Sequence, residues 1–190
     1  MEKIKYPYIP DDRVIKYVDK ENEFMKEASE MMKKGGCFIQ KTGAVIVLEN
    51  KIIGKGSNAS KTLDYCPRRK KGSKTGEDYY LCKEMCGQFG HAESNAIYNT
   101  VKSFGIDKEK LEELENLINI AYYSKNTNLE ELEIKIKNFV KTINIEKIKG
   151  ADLYLDGHWW CCKICWMFMN AFYIKDVYLR NDSFEKYFIH

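Results

Sequence analysis

The stretch ADLYLDGHWWCCKICWMFMNAFYIKDVYL, residues 151–179, alternates like a strand in ADLYLDG, turns helical through CCKICWMFMNAF, and returns to strand composition in KDVYL. Two strands flanking a helix predict a βαβ unit with a parallel strand pair, because parallel neighbours need a long crossover between them. The same stretch gathers Cys161, Cys162 and Cys165 directly behind Trp159 and Trp160. Trp166, Met167 and Phe168 on the helix are most simply core; Trp159 and Trp160, on the approach to it, are candidates to wall or stack in a pocket, and adjacent positions should point them to opposite sides.

Working outward, ENEFMKEASEMMKK places Phe24, Ala28, Met31 and Met32 at helical spacing and stops at Gly35-Gly36. TGAVIVLENKIIGKGSN reads as a tight hairpin of two strands, Ala44 to Leu48 and Lys51 to Gly56, turning at Glu49-Asn50. Residues 59–90 show no period and read as a long irregular loop carrying Cys66, Cys82 and Cys86; a loop of that length is usually functional. AESNAIYNTVKSF is helical up to Gly105, so His91-Ala92-Glu93 sits at a helix start. Residues 106–148 carry two apolar stripes, Leu111, Leu114, Ile118 and Ala121, then Leu132, Ile136, Phe139, Val140 and Ile143, separated by SKNTN. Asn128 with Glu131 resembles a capping box, and the segment is expected to be a helical hairpin with no chemistry of its own. Residues 1–18 are read as an N-terminal arm.

With 190 residues, one domain is expected. The opening MEKIKYPYIPDDRV lacks the pattern of a signal peptide, no apolar run would span a bilayer, and a cytoplasmic protein without a membrane partner is expected. Seven cysteines cannot all pair, which favours metal ligation or buried thiols over a disulfide framework. A formal charge of +3 is too mild to argue for a nucleic-acid partner, which is not expected, although PRRKKGSK, residues 67–74, is locally basic.

His91 at one helix start, and Cys162 with Cys165 at another, make a set of three metal donors with a carboxylate, Glu93, two residues from the histidine. Cysteines three apart share a helical face, and the helix N-terminus favours the thiolate that binds metal. One imidazole and two thiolates suit tetrahedral zinc with the fourth position open to water, whose pKa falls from 15.7 towards roughly 7 on binding. A lone histidine near a helix start is usually structural, and a lone CxxC is as readily redox-active or buried; the two together are far more specific.

HAE followed by SNAI, with a downstream CxxC on the helix of a strand–helix–strand unit, resembles the zinc-dependent cytidine/deoxycytidylate deaminase family, whose signature is H-x-E with P-C-x-x-C. The resemblance spans most of the chain outside residues 106–148. It implies a three-layer α/β fold, a mixed sheet flanked by helices, with the helical hairpin as an insertion. The hairpin TGAVIVLENKIIGKGSN is similar to the family's first hairpin, so Asn58 inherits contact with the sugar. The pattern Cys66-Pro67-Arg68, Gly76-Glu77 and Cys82, together with Asn95, is similar to the deoxycytidylate branch. The resemblance further implies zinc on His91, Cys162 and Cys165, Glu93 moving protons from water to the ring N3 and the leaving ammonia, and the Ala92 amide holding the pyrimidine carbonyl.

Three departures stand out. Cys161 occupies the family's proline position, the connection from strand to CxxC is about two residues longer by eye, and only eleven residues follow Leu179, too few for the usual fifth strand and final helix. Arg68, with Arg69, Lys70 and Lys71 beside it, is the candidate for a nucleotide phosphate, the alternative being a solvated basic loop. Cys66, Cys82 and Cys86 are candidates for a second, structural zinc, with Cys37, Cys161 or His158 as the fourth ligand, or else are simply buried thiols.

The expected activity is zinc-dependent hydrolytic deamination of a cytosine nucleotide, dCMP before others, by a homo-oligomer acting on a small molecule. Two alternatives stand beside it. One is a deaminase for a free nucleoside, a modified base or RNA; the other is a catalytically silent, zinc-stabilised interaction module.

Overall fold

A computed structural model describes residues 7–73, 78–124 and 127–188. Five strands, β1 (Ile15–Val18), β2 (Gly43–Leu48), β3 (Lys51–Ser57), β4 (Asp152–Asp156) and β5 (Val177–Arg180), form one mixed sheet in the order β1-β5-β4-β2-β3. β1, β5 and β4 run parallel to one another, while β2 is antiparallel to both β4 and β3. Glu49 and Asn50 both take positive φ, 50° and 59°, the backbone twist that a two-residue hairpin turn requires.

Side-chain alternation divides the sheet into two faces. Val45, Val47 and Tyr154 point to one side and are covered by α1 (Glu23–Lys34) through Met25 and Ala28. Ala44, Ile46, Leu153, Leu155, Val177 and Leu179 point to the other, against α4 (Ala92–Ser103) and α7 (Lys163–Ala171). A further pair, α5 (Lys108–Tyr123) and α6 (Leu129–Val140), packs outside α4 and α7 and thickens this face. Helices on both faces of a mixed sheet give the expected α/β layering, and the helical hairpin is present. Asn128 caps α6 by accepting from the Glu130 and Glu131 amides at 3.1 and 3.4 Å. Close approach of α4 to the sheet depends on glycine: a Cβ at Gly56 would stand 2.3 Å from the Ala96 nitrogen.

Three expectations need correction. Residues 59–90 are not wholly irregular: Pro67 begins a short helix, α2 (Pro67–Lys71), closed by Gly72 at φ 79°, and α3 (Tyr80–Cys86) is closed by Gly87 at φ 59°. These helices are too short for a 3.6-residue period to register, although proline at a first turn and left-handed glycine at an end mark them.

The N-terminal arm is not merely an arm. Ile15–Val18 pairs with β5 as the sheet's fifth strand. IKYV shows no alternation because this is an edge strand, exposed at its two middle positions. Upstream, the Tyr8 carbonyl accepts from the Trp166 indole at 2.9 Å, and Arg13 lies 5.0 Å from the Trp166 ring while donating to Asn170 at 2.7 Å.

The C-terminus, finally, does form a short helix, α8 (Ser183–Tyr187), anchored by the Tyr187 hydroxyl on the buried Asp156 carboxylate at 2.7 Å. Gly76, Glu77 and Lys74, which belong to the sequence patterns above, lie outside the described residues.

Candidate metal centre and its pocket

Two helix starts meet at one end of the thick face. His91 is the residue before α4, with extended backbone (φ −78°, ψ 166°), and Cys162 is the residue before α7 (φ −74°, ψ 160°). The Cys162 sulfur caps its own helix by accepting the Cys165 amide at 3.4 Å, which puts both sulfurs on one turn. His91 Nδ1 stands 3.4 Å from Cys162 Sγ and 3.5 Å from Cys165 Sγ, and the two sulfurs are 3.2 Å apart. Donors bound tetrahedrally at 2.0–2.3 Å sit about 3.6–3.8 Å from one another. The three donor atoms therefore need to move only a few tenths of an ångström to hold zinc, and as one nitrogen and two sulfurs they have the right chemistry for it.

The electrostatics point the same way. Its hydrogen bond with Cys165 and the nearby His91 hold the Cys162 thiol well below its usual range, against the opposing effect of burial. Burial pushes Cys165 up, so Cys162 is the more readily ionised sulfur. Burial opposes protonation of His91, but the neighbouring Cys162 outweighs it and raises the imidazole.

Glu93, in the first turn of α4, is 5% exposed. Burial raises its carboxyl above the ordinary range, with His91 opposing and Cys162 adding. Such a group moves a proton more easily than a surface carboxylate does. Cys161, in the family's proline position, is completely buried, and its thiol bonds to Glu93.

A cavity of about 310 Å³ opens over this cluster, lined by His91, Glu93 and Cys162 and also by Asn58, Arg68 and Arg69. That is at the small end of the range for small-molecule sites. The Arg68 guanidinium lies 4.1 Å from the Tyr79 ring, and Tyr79 meets His91 edge-on at 6.4 Å. Lys71 is turned to Asp78, 2.8 Å away, and Lys70 to the Tyr65 ring, so the basic run divides between the cavity and the surface. Asn58 is held by backbone on both sides of its amide: Oδ1 accepts from Thr42 N at 2.9 Å, and Nδ2 donates to Gln40 O at 2.6 Å. Asn95 donates to the Ser57 carbonyl at 2.7 Å, tying α4 to the end of β3. Ala92 is buried in the first turn of α4, where amides have no intrahelical acceptor.

The adjacent tryptophans do not point to opposite sides: their rings meet edge-on at 6.3 Å, and they differ in what else they touch. Trp160 lines the cavity, while Trp159 packs edge-on against Phe184 and Phe188. His158 also lines the cavity; its Nδ1 accepts from the Trp159 and Trp160 amides at 3.1 and 3.3 Å, and burial pushes the imidazole down to about 4.

Among the described residues, His91, Cys162 and Cys165 are the group whose donor atoms lie within 4.8 Å of one another. Cys66, Cys82 and Cys86 are not gathered that closely. Of their suggested fourth ligands, Cys161 lies against Glu93 and His158 Nδ1 is occupied by backbone, whereas Cys37 is near enough to influence both Cys82 and Cys86 electrostatically.

One participant had no sequence signal. Tyr122, at the end of α5, lies with its hydroxyl 3.2 Å from Cys165 Sγ, so the helical hairpin is not free of the site as expected. Only its place at the tail of an amphipathic stripe was visible, and that pattern says nothing about a partner in another helix.

Fold and site together define an α/β domain with a candidate zinc centre at two helix starts and a buried carboxylate beside it. The family model for the cytidine and deoxycytidylate deaminase zinc-binding region matches residues 18–181, and the chain belongs to this family. Membership is consistent with zinc-dependent deamination of cytosine. Among solved structures the chain is similar to the dCMP deaminase of the cyanophage S-TIM5 in its apo form, at 17% identity over 86% of this chain and 85% of that one, with a TM-score of 0.41. No curated protein matches. No helix among the described residues is long and apolar enough to cross a membrane.

Proposed function

We propose that the chain hydrolytically deaminates a cytosine nucleotide, dCMP before others, with zinc held by His91, Cys162 and Cys165. The observation that carries this is the position of Glu93: a buried carboxylate in the cavity wall, in the first turn of the helix that His91 begins and within electrostatic reach of His91 and Cys162. Bound zinc would supply Lewis acidity, lowering the pKa of a water to about 7.

Glu93 would take a proton from the attacking water as its oxygen bonds to ring C4, deliver that proton to N3, and carry the second to the amino nitrogen as the C4–N bond breaks and ammonia departs. Its raised pKa fits this double use, because the group must accept and release protons within one cycle. The Ala92 amide, in the first turn of α4, is available to the pyrimidine carbonyl. Asn58, which lines the cavity, would meet the sugar. Arg68, 4.1 Å from the Tyr79 ring centre at the cavity wall, would offer its guanidinium fork to a 5′-phosphate. Residues 106–148 are an insertion in the single domain, and the working form is a cytoplasmic homo-oligomer.

Zinc-loaded protein is expected to release ammonia from dCMP faster than from deoxycytidine. No release from dCMP, dCTP, cytidine or deoxycytidine would sink the reading. Equal turnover of nucleotide and nucleoside would favour the free-nucleoside alternative, and Glu93→Gln with every measurable function intact would favour the silent module.

The alternative of a second metal, on Cys66, Cys82 and Cys86 with Cys37 as fourth donor, rests on Cys82 and Cys86 sharing one face of α3. Elemental analysis of purified protein is expected to give two zinc ions per chain, and a ratio near one removes this part.

A further inference from the structure

The helical hairpin reaches the metal position through one side chain. The Tyr122 hydroxyl lies 3.2 Å from Cys165 Sγ, and its ring centre lies 4.6 Å from that of the His91 imidazole, tilted by 42°. A single residue of α5 thus touches donor side chains on both of the helix starts that build the site. The contact is braced from behind. A Cβ at Gly90, the residue before His91, would stand 3.0 Å from Ile118 Cγ2 and 3.4 Å from Tyr122 Cε2, so α5 lies directly against the turn leading to His91. Next in sequence, the Tyr123 hydroxyl donates to the Gln88 carbonyl, fastening the same end of α5 to the same turn.

In a phenol–thiol pair either atom can donate. A sulfur that ligates a metal is a thiolate without a proton, so the direction is then decided: the phenol donates. We propose, on the zinc reading above, that Tyr122 is a positioning residue that donates a hydrogen bond to the Cys165 thiolate and holds the His91 ring against it. Donation draws charge from the sulfur and leaves the metal a stronger Lewis acid, while the ring contact restrains the imidazole so that Nδ1 faces both sulfurs. The hairpin is thereby part of the metal site. Partners at this distance from a metal commonly change affinity by about 10–100-fold.

Cobalt in place of zinc in the full chain reads the sulfur directly, through thiolate-to-metal charge-transfer absorption. Tyr122→Phe keeps the ring and removes the hydroxyl; it is expected to move that band to longer wavelength and to weaken zinc about tenfold in competition with a chelator. Tyr123→Phe, which cuts only the bond to Gln88, is expected to leave both at wild-type values. An unchanged band and affinity in Tyr122→Phe, or the same shift in Tyr123→Phe, overturns the proposal. Should Tyr122→Phe not fold, cadmium-113 in the wild-type chain decides, because magnetisation transfer from the metal to the Tyr122 hydroxyl proton is expected and its absence is contrary. A wild-type chain with no cobalt–thiolate absorption sinks the metal reading itself, an outcome distinct from the failure of Tyr122 alone.

Discussion

The cavity has two unlike walls. One is built from the starts of α4 and α7, both seated on the sheet, and holds Glu93, Cys162, Cys165 and His91 among buried neighbours. The other is built from α2 and the turn after it, five helical residues and a connection, and holds Arg68 and Arg69 near the surface. Chemistry that depends on tenths of an ångström sits on the elements the core restrains most, and charge that need only attract an anion sits on the loop. Substitutions in the two walls should therefore fail differently.

The largest expected effect is on the rigid wall. Glu93→Gln keeps the size and burial of the side chain and removes its proton chemistry, so turnover should fall by about 10²–10⁴ while zinc content stays at the wild-type level. Ammonia release and elemental analysis on the same sample check both halves. Equal loss of metal and activity would mean that the walls are not separable as described.

On the loop wall, Arg68→Ala should raise KM for dCMP about 10–100-fold, the worth of one charge-assisted bond to phosphate, and leave deoxycytidine turnover unchanged. A parallel fall for both substrates would show that Arg68 supports the fold through Tyr79 and does not read phosphate.

His158 lies between the walls. Its imidazole is held near 4, below the ordinary 6.5, so folding favours the neutral form. That contribution is complete above about pH 6.5 and is lost as pH falls towards 4, amounting to at most roughly 2 kcal/mol between pH 7 and pH 5. In denaturant unfolding, His158→Gln should lose less stability than wild type over that interval. An identical loss would mean that His158 titrates as freely in the fold as outside it.

The smallest effect tests distance from the cavity. Asn128→Ala removes the cap of α6 and should cost about 1 kcal/mol of stability, read as a lower denaturant midpoint, with kcat/KM for dCMP unchanged.

Much of this arrangement was written locally. The hairpin at Glu49-Asn50, the helix start at Asn128, and the strand–helix–strand unit of residues 151–179 follow from turn chemistry, capping and periodicity, which act over a few residues. His91, Glu93, Cys162 and Cys165 were legible for the same reason, because helix starts expose unbonded amides and the spacing of donors along one turn is a local property. α2 and α3 escaped notice because five to seven residues complete too little of a helical period.

Only the tertiary structure decided the rest. Ile15–Val18 becomes a strand because β5 presents it with unpaired backbone, an opportunity more than a hundred and fifty residues away in sequence. Cys161 faces Glu93 because α7 packs against α4, and Tyr122 faces Cys165 because α5 packs against the outer side of α4. The sequence by itself determined which residues could hold a metal; packing determined which neighbours would surround it, since contacts between distant elements leave no periodic trace in any one of them.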